Sequence, residues 1–316
     1  MVTRRAAATV KAVPPLRRTC GAMQVYQQLL ESHPSFRAQQ LTLEHATTAA
    51  NRSALVERST PFKIAVVVHV VYAKAAENIS VAQIKSQIVA LNKDYRARNT
   101  DRSKTPTPWR GLVADANIQF HLAAKGPDGK ATTGITRTST ARTSFVADDD
   151  SVKSAVTGGV APWPTDKYLN LWVCGSLTNA RGNALLGYAQ FPGGPAETDG
   201  VVIWHGSFGT KGSARVPFNL GRTATHEIGH FLNLRHIWGD APNCSGNDFV
   251  PDTPNAEDAN YNKPAFPHVS CNNGPNGDMF MNYMDYVDDD TMFMFTSGQV
   301  ARMHAALNGV RSPLVT

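Results

Sequence analysis

His226-Glu227-Ile228-Gly229-His230-Phe231-Leu232-Asn233-Leu234-Arg235-His236 is the stretch from which the rest of the chain is best read. Residues i and i+4 share one face of a helix, so the imidazoles of His226 and His230 converge on one cation. Glu227 projects about 100° around the same helix, within reach of a water at the metal without ligating the metal itself. That geometry predicts a general base. His236 stands six residues past His230, and a straight helix would carry it far along the axis, so the chain has to turn sharply between them. Asn233 suits that turn, because Asn is the side chain after Gly that best tolerates the left-handed conformation ending a helix. A third imidazole returned to the metal leaves the fourth tetrahedral position for water, the arrangement of a catalytic zinc and not of a closed structural one.

Continued to Asp240, as H-E-I-G-H-F-L-N-L-R-H-I-W-G-D, the stretch resembles the extended zinc signature of the metzincin peptidases, specifically the pappalysin branch. Asn233 stands where the signature usually has Gly, a departure that keeps the capacity for positive φ. Downstream, Asn282-Tyr283-Met284-Asp285-Tyr286 resembles the Met-turn, in which Met284 would form an apolar floor under the metal and Tyr286 would steady the tetrahedral intermediate. The resemblance covers the chain from about residue 60 to its end. It implies an α/β (α+β) metzincin-like catalytic domain over residues 61–316, with a twisted mixed sheet, an active-site helix and an irregular lobe after Asn233. The implied activity is that of an endopeptidase using Zn2+ on protein or peptide substrates, Glu227 taking a proton from water and delivering it to the leaving amine.

Further features follow from the same resemblance. Leu186 to Pro192 looks like the edge strand with which an extended substrate pairs. Cys244 and Cys271, with Val250-Pro251-Asp252-Thr253-Pro254, match the family's disulfide-tied loop, where calcium can bind. Asp240, Asp248, Asp252 and Thr253 supply hard oxygen ligands for Ca2+; a solvated Asx-turn loop is the plain alternative. A preference for Arg or Lys on the primed side of the scissile bond would need a counter-charge, which Asp288, Asp289 and Asp290 offer without the sequence choosing among them.

The rest of the chain is consistent with such an enzyme. With 42% hydrophobic and 18% charged residues, 24 Gly and 19 Pro, its 316 residues describe a loop-rich globular protein. No run approaches the roughly 18 to 20 apolar residues of a membrane span. The net charge of +6 is concentrated at the start, where residues 1–60 hold eight basic against three acidic side chains. The remainder is close to neutral and carries no basic stripe or finger spacing, which argues against nucleic acid as a partner. Phe62 to Tyr72 reads as a buried strand, and shorter strands are predicted at 118–122, 134–138, 168–173, 186–190 and 201–204. Ser80 with Gln83, and Thr296 with Gln299, have the capping-box spacing that starts a helix. The segment from Gly239 to about Asp278 is dense in Asn, Asp, Pro and Gly and shows no periodicity. His69, inside an apolar run, reads as a satisfied core histidine.

Four cysteines permit three pairings, and sequence alone does not choose. Cys174 lies in an apolar run and reads as buried, whereas Cys244 and Cys271 flank a polar loop with little else to hold it, which favours pairing those two. A disulfide points to an oxidising, extracellular setting, although no apolar signal core follows the basic residues of this numbering. Residues 1–60 read as an appended pro-segment, helical around Met23 to Leu30. In it, Arg18-Thr19-Cys20-Gly21 suggests a cysteine switch: Cys20, kept as thiolate by Arg17 and Arg18, would occupy the fourth zinc position until the segment is cut off between Ala50 and Pro61. The resemblance implies the same, since latent members carry a similar Cys-Gly; an ordinary unpaired cysteine is the alternative. Two rival functions stand beside the peptidase. A zinc-holding binding module would have no need of Glu227, and a hydrolase of non-peptide amides would not need an edge strand.

Overall fold

The run from Phe62 to Tyr72, apolar and β-branched at nearly every position, forms the eleven-residue strand β1 at the centre of the fold. A strand covered on both faces has this continuous apolar character. The computed structural model describes residue 15 and residues 17–52 and 60–315. Along these, the helices are α1 (Ala22–Ser32), α2 (Pro34–Arg52), α3 (Val81–Asp94), α4 (Arg222–Phe231) and α5 (Ser297–Asn308). The strands after β1 are β2 (Ile118–Leu122), β3 (Ile135–Ser139), β4 (Phe145–Val146), β5 (Leu169–Cys174), β6 (Leu177–Thr178), β7 (Gly187–Ala189), β8 (Val201–Trp204), β9 (Tyr261–Asn262) and β10 (Tyr286–Val287).

The main sheet has the order β2-β1-β5-β8-β7. One edge of β1 takes β2 along Phe62–Val66 and then β3 along Val68–Tyr72, while its other edge takes β5, all parallel. β8 continues the parallel set, and β7 closes it as the antiparallel edge strand. This is the twisted mixed sheet expected, with the short pairs β4/β6 and β9/β10 outside it. His69 on β1 is fully buried, its Nδ1 2.7 Å from Thr136 Oγ1 and its Nε2 3.0 Å from Asn170 Oδ1. Burial pushes this imidazole down to about 4 from its ordinary 6.5.

One face of the sheet packs against α3, α4 and α5 through Ile84, Leu91, Ala224, Ile228, Val300 and Met303. The two expected capping boxes differ. At α5 both halves are made, Thr296 Oγ1 accepting from Gln299 N and Gln299 Oε1 from Thr296 N. At α3 only Ser80 caps, because Gln83 turns its amide to the carbonyls of His205 and Phe208 instead.

The other face is covered by the start of the chain. Ala22, Val25, Tyr26, Leu29 and Phe36 join Phe145, Trp172, Tyr188 and Phe191 in one apolar cluster. The N-terminal residues thus pack on this face as an added layer over the body of the fold. α2, which the sequence reading did not foresee, packs on α5 and is fastened by an ion pair between Glu44 and Arg302 at 2.6 Å. Of the basic residues expected to mark the excision site, Arg52 ends α2, while Glu57-Arg58 lies outside the described residues.

Candidate active site

α4 starts after Gly221, whose φ of +80° suits a residue without Cβ, and every residue of the helix is buried. It ends where Leu232 N donates to Ile228 O and Leu234 N reaches back to Gly229 O at 2.9 Å. Asn233, at φ +75°, makes the left-handed turn that its residue type predicts. The turn returns His236 to the helix. Its Nε2 lies 3.2 Å from that of His226 and 3.1 Å from that of His230, and these two are 3.2 Å apart. Donors at 2.0–2.1 Å around a tetrahedral centre stand about 3.3–3.4 Å apart, so the spacing fits zinc.

The outer ring nitrogens say more. His226 Nδ1 faces the carbonyl of Tyr283 at 2.7 Å and His230 Nδ1 that of Leu234 at 2.8 Å. A carbonyl can only accept, so each Nδ1 carries the proton and each neutral ring turns an unprotonated Nε2 inward. His236 Nδ1 is 2.6 Å from Asp240 Oδ1, which fixes the third ring the same way, and Trp238 stacks on that ring at 4.4 Å. Lone pairs crowded this closely repel one another unless a cation lies between them. Burial, then the neighbouring imidazoles, push His226 and His230 well below their ordinary range.

Glu227 is buried beside the three rings, and burial lifts its carboxyl to about 8, against the Cys20 hydrogen bond and the charge of Arg18. β7 lies tight against it: a Cβ on Gly187 would come within 2.9 Å of Glu227 Cγ. Met284 sits under the helix, its sulfur 2.4 Å from where a Cβ on Gly229 would be. Tyr286 packs its ring 4.9 Å from that of His236 and 5.7 Å from that of His226.

The N-terminal residues run through this site. Thr19 O accepts from Leu186 N, Gly21 N donates to Gly187 O, and Cys20 pairs with Gly187 in parallel sense. Cys20 Sγ donates to Glu227 Oε2 at 3.2 Å. Among the described residues, Cys20, His226, His230 and His236 form the group whose ligand atoms, all within 4.8 Å of one another, could hold a metal ion. Neither Arg17, which lies over the Tyr261 ring, nor Arg18, which is engaged elsewhere, turns its guanidinium to Cys20.

Arg18 enters a buried pocket instead. It donates to Asp289 Oδ1 at 2.5 Å, Val287 O at 3.1 Å and Thr223 Oγ1 at 3.2 Å. Asp289 Oδ2 accepts from Leu220 N at 2.7 Å, whereas Asp290 is exposed and pairs with Lys263. Of the calcium candidates, Asp248 and Thr253 meet: Thr253 Oγ1 donates to Asp248 Oδ2 at 2.7 Å and to Val250 O at 2.9 Å, while Asp240 faces His236 and Asp252 accepts from Thr296 Oγ1 and Gly298 N at the start of α5. The predicted disulfide between Cys244 and Cys271 is present, and Cys174 is a buried free thiol.

Three groups escaped the sequence reading: Asp240 as the partner of His236, Arg18 on Asp289, and Glu44 on Arg302. Only the first left a signal, its i,i+4 spacing from His236.

The chain is similar to known metalloproteases. Residues 153–308 match the peptidase M43 family, described as pregnancy-associated plasma protein-A. An extracellular metalloprotease of Pyricularia oryzae is 32% identical over 291 residues, covering 90% of this chain and 86% of the relative. One from Arthroderma otae is 28% identical, with 96% of each covered. Among solved structures, mature mirolysin of Tannerella forsythia, in complex with a cleaved peptide, is 49% identical over 81% of this chain and 96% of its own, with a TM-score of 0.78. A promirolysin variant from the same organism is 45% identical over 94% and 97%, with a TM-score of 0.85.

Proposed function

This chain belongs to the M43, or pappalysin, family of metzincin metalloproteases, and we propose that it is a zinc-dependent endopeptidase made as a latent precursor and acting outside the cell. The observation that carries the reading is the meeting of three unprotonated Nε2 atoms at 3.1–3.2 Å beside the carboxyl of Glu227. In this reading His226, His230 and His236 are the metal ligands. Zinc held there supplies Lewis acidity, polarising a peptide carbonyl and lowering the pKa of water. Glu227 accepts the proton of the attacking water at its carboxylate and passes it to the nitrogen of the leaving amine. Tyr286 steadies the tetrahedral intermediate from beside His236, and Met284 fixes the floor. The outer edge of β7 aligns the substrate as an added strand once the N-terminal segment has gone.

Cys20 keeps the precursor silent by taking the ligand position that water needs, in keeping with the backbone pairing that holds it on Gly187. The likeness to promirolysin supports a zymogen, and relatives named extracellular metalloproteases support secretion. Arg18 on Asp289 supports a preference for Arg or Lys just after the scissile bond, with Asp289 as the counter-charge in that pocket.

The test is cleavage of a denatured general protein by the processed enzyme, with Glu227→Ala and a zinc chelator as controls and the cut sites mapped. Loss of cleavage in both controls, with Arg or Lys after the cuts, is expected. A processed protein that binds zinc and cuts nothing would replace the reading with a binding module. Cys20→Ala is expected to make the uncut precursor active, and a fully latent variant would count against the switch.

A further inference from the structure

The N-terminal segment fills the site at two charged points, and the second faces away from Asp289. The segment follows the edge strand: Thr19 bonds Ala184 O, Gly21 pairs with Gly187, and the Tyr26 ring reaches Phe191 at 4.8 Å. Phe191 in turn lies 5.3 Å from the His230 ring. Arg18 thus marks one end of the cleft and Tyr26 the other, with Cys20 between them. At the Tyr26 end stands Arg235, the residue before His236. Its Nη2 donates to the Tyr26 hydroxyl at 3.0 Å, its guanidinium lies 5.0 Å over the rings of both Tyr26 and Phe249, and its buried Nε has no partner.

Beside it, Arg302 grips Glu44 through both guanidinium nitrogens, at 2.6 and 2.9 Å, and donates to Asn233 O. Asn233 Nδ2 adds a longer bond to the same carboxylate, at 3.4 Å. The charges of Arg302 and Arg235 both hold the Glu44 carboxyl below its ordinary range, against the opposing effect of burial. Arg302 also lies 5.9 Å from the exposed ring of Phe249. Asp248 is the acidic neighbour left on the body, and its two oxygens are taken by Thr253 and Val250 N.

Among the described residues, Phe249 and the Asn233 carbonyl are the body's contacts to these two guanidiniums, and their other partners, Tyr26 and Glu44, come from α1 and α2. We infer that, once the segment is gone, Arg235 and Arg302 with Phe249 form a subsite for a carboxylate, selecting an acidic side chain on the non-primed part of the substrate. Glu44 occupies that subsite in the precursor as Arg18 occupies the pocket of Asp289. A fork-shaped guanidinium left facing the cleft binds a carboxylate with charge-assisted hydrogen bonds that a neutral amide does not match.

This inference rests on the peptidase reading and on removal of the segment. Its test is a peptide series cut by the processed enzyme, with Arg fixed after the scissile bond and Glu, Gln, Ala or Lys at each of the four positions before it. At one position kcat/KM for Glu is expected to exceed that for Gln by about ten-fold, with Lys the poorest. In Arg235→Gln the Glu-to-Gln ratio is expected to fall toward one, whatever the overall rate. Efficient cleavage with ratios within two-fold at all four positions would overturn the subsite and leave the peptidase intact. A Glu preference that survives in Arg235→Gln would overturn the assignment to Arg235. No cleavage of any peptide would remove both readings together.

Discussion

Replacing Arg18 with Ala tests how the segment is locked. The Arg18–Asp289 pair is 1% and 0% exposed on its two sides, and the guanidinium also serves Val287 O and Thr223. Removing one member of a buried ion pair costs about 3–5 kcal/mol. Asp289 keeps its backbone bond from Leu220 N, which places the loss near the low end, about 3 kcal/mol. At 1.4 kcal/mol per decade, the lifted state of the segment then becomes about 100-fold more populated. Cys20 reports it, because its half-buried thiol reacts faster with an alkylating reagent when the segment lifts off β7. The assay compares Cys20 labelling, located by mass spectrometry, in uncut Arg18→Ala and parent precursors, both carrying Glu227→Ala to prevent self-cleavage. Arg17→Ala, which removes only a stack on Tyr261, is expected to change the rate by less than about five-fold. A rate for Arg18→Ala within about three-fold of the parent would refute the argument that this pair, rather than the backbone pairing with β7, holds the segment down.

Three further outcomes are expected. Asp240→Asn should weaken zinc binding by about 10- to 100-fold in competition with a chelator; unchanged affinity would leave the orientation of His236 to the Trp238 stack. His69 has a folded pKa below its unfolded value, so its share of stability is fully present above about 6.5 and is lost as pH falls toward about 4. That share amounts to about 3 kcal/mol. Melting of the Glu227→Ala precursor should fall more steeply over this window than that of the same protein carrying His69→Gln, and parallel curves would contradict it. Gly229→Ala drives a methyl into the Met284 sulfur and should destabilise by about 1–3 kcal/mol. Combined with Met284→Ala, the cost should be well below the sum, whereas strict additivity would mean the two do not touch in solution.

Local chemistry made much of this protein legible in its sequence. β1, β2 and β8 fall on their predicted bounds because period and composition agree there, and the turn at Asn233 follows from what Asn tolerates. The convergence of the three imidazoles beside Glu227 could be read from one helix and one turn. α2 could not, since its buried Phe36 and Leu43 are diluted by Gln, Thr and an exposed Leu41. Pairs such as Arg18 with Asp289 and Glu44 with Arg302 join residues 271 and 258 positions apart, and no local rule connects them. Asp240 shows another limit of the sequence: the successive left-handed residues Gly239 and Asp240, at φ +67° and +57°, aim its carboxylate at His236, which residue type alone does not foretell.

The apolar cluster that α1 shares with Trp172, Tyr188 and Phe191 has a consequence for the enzyme's working life. If the segment is excised as proposed, a greasy face of the body would be uncovered, and each large side chain returned to water would forfeit about 1.5–3 kcal/mol. The uncut chain would then be the durable form and the cut form the perishable one, its life limited by its own unfolding and by neighbours of its own kind, so that a burst of activity would carry its own expiry.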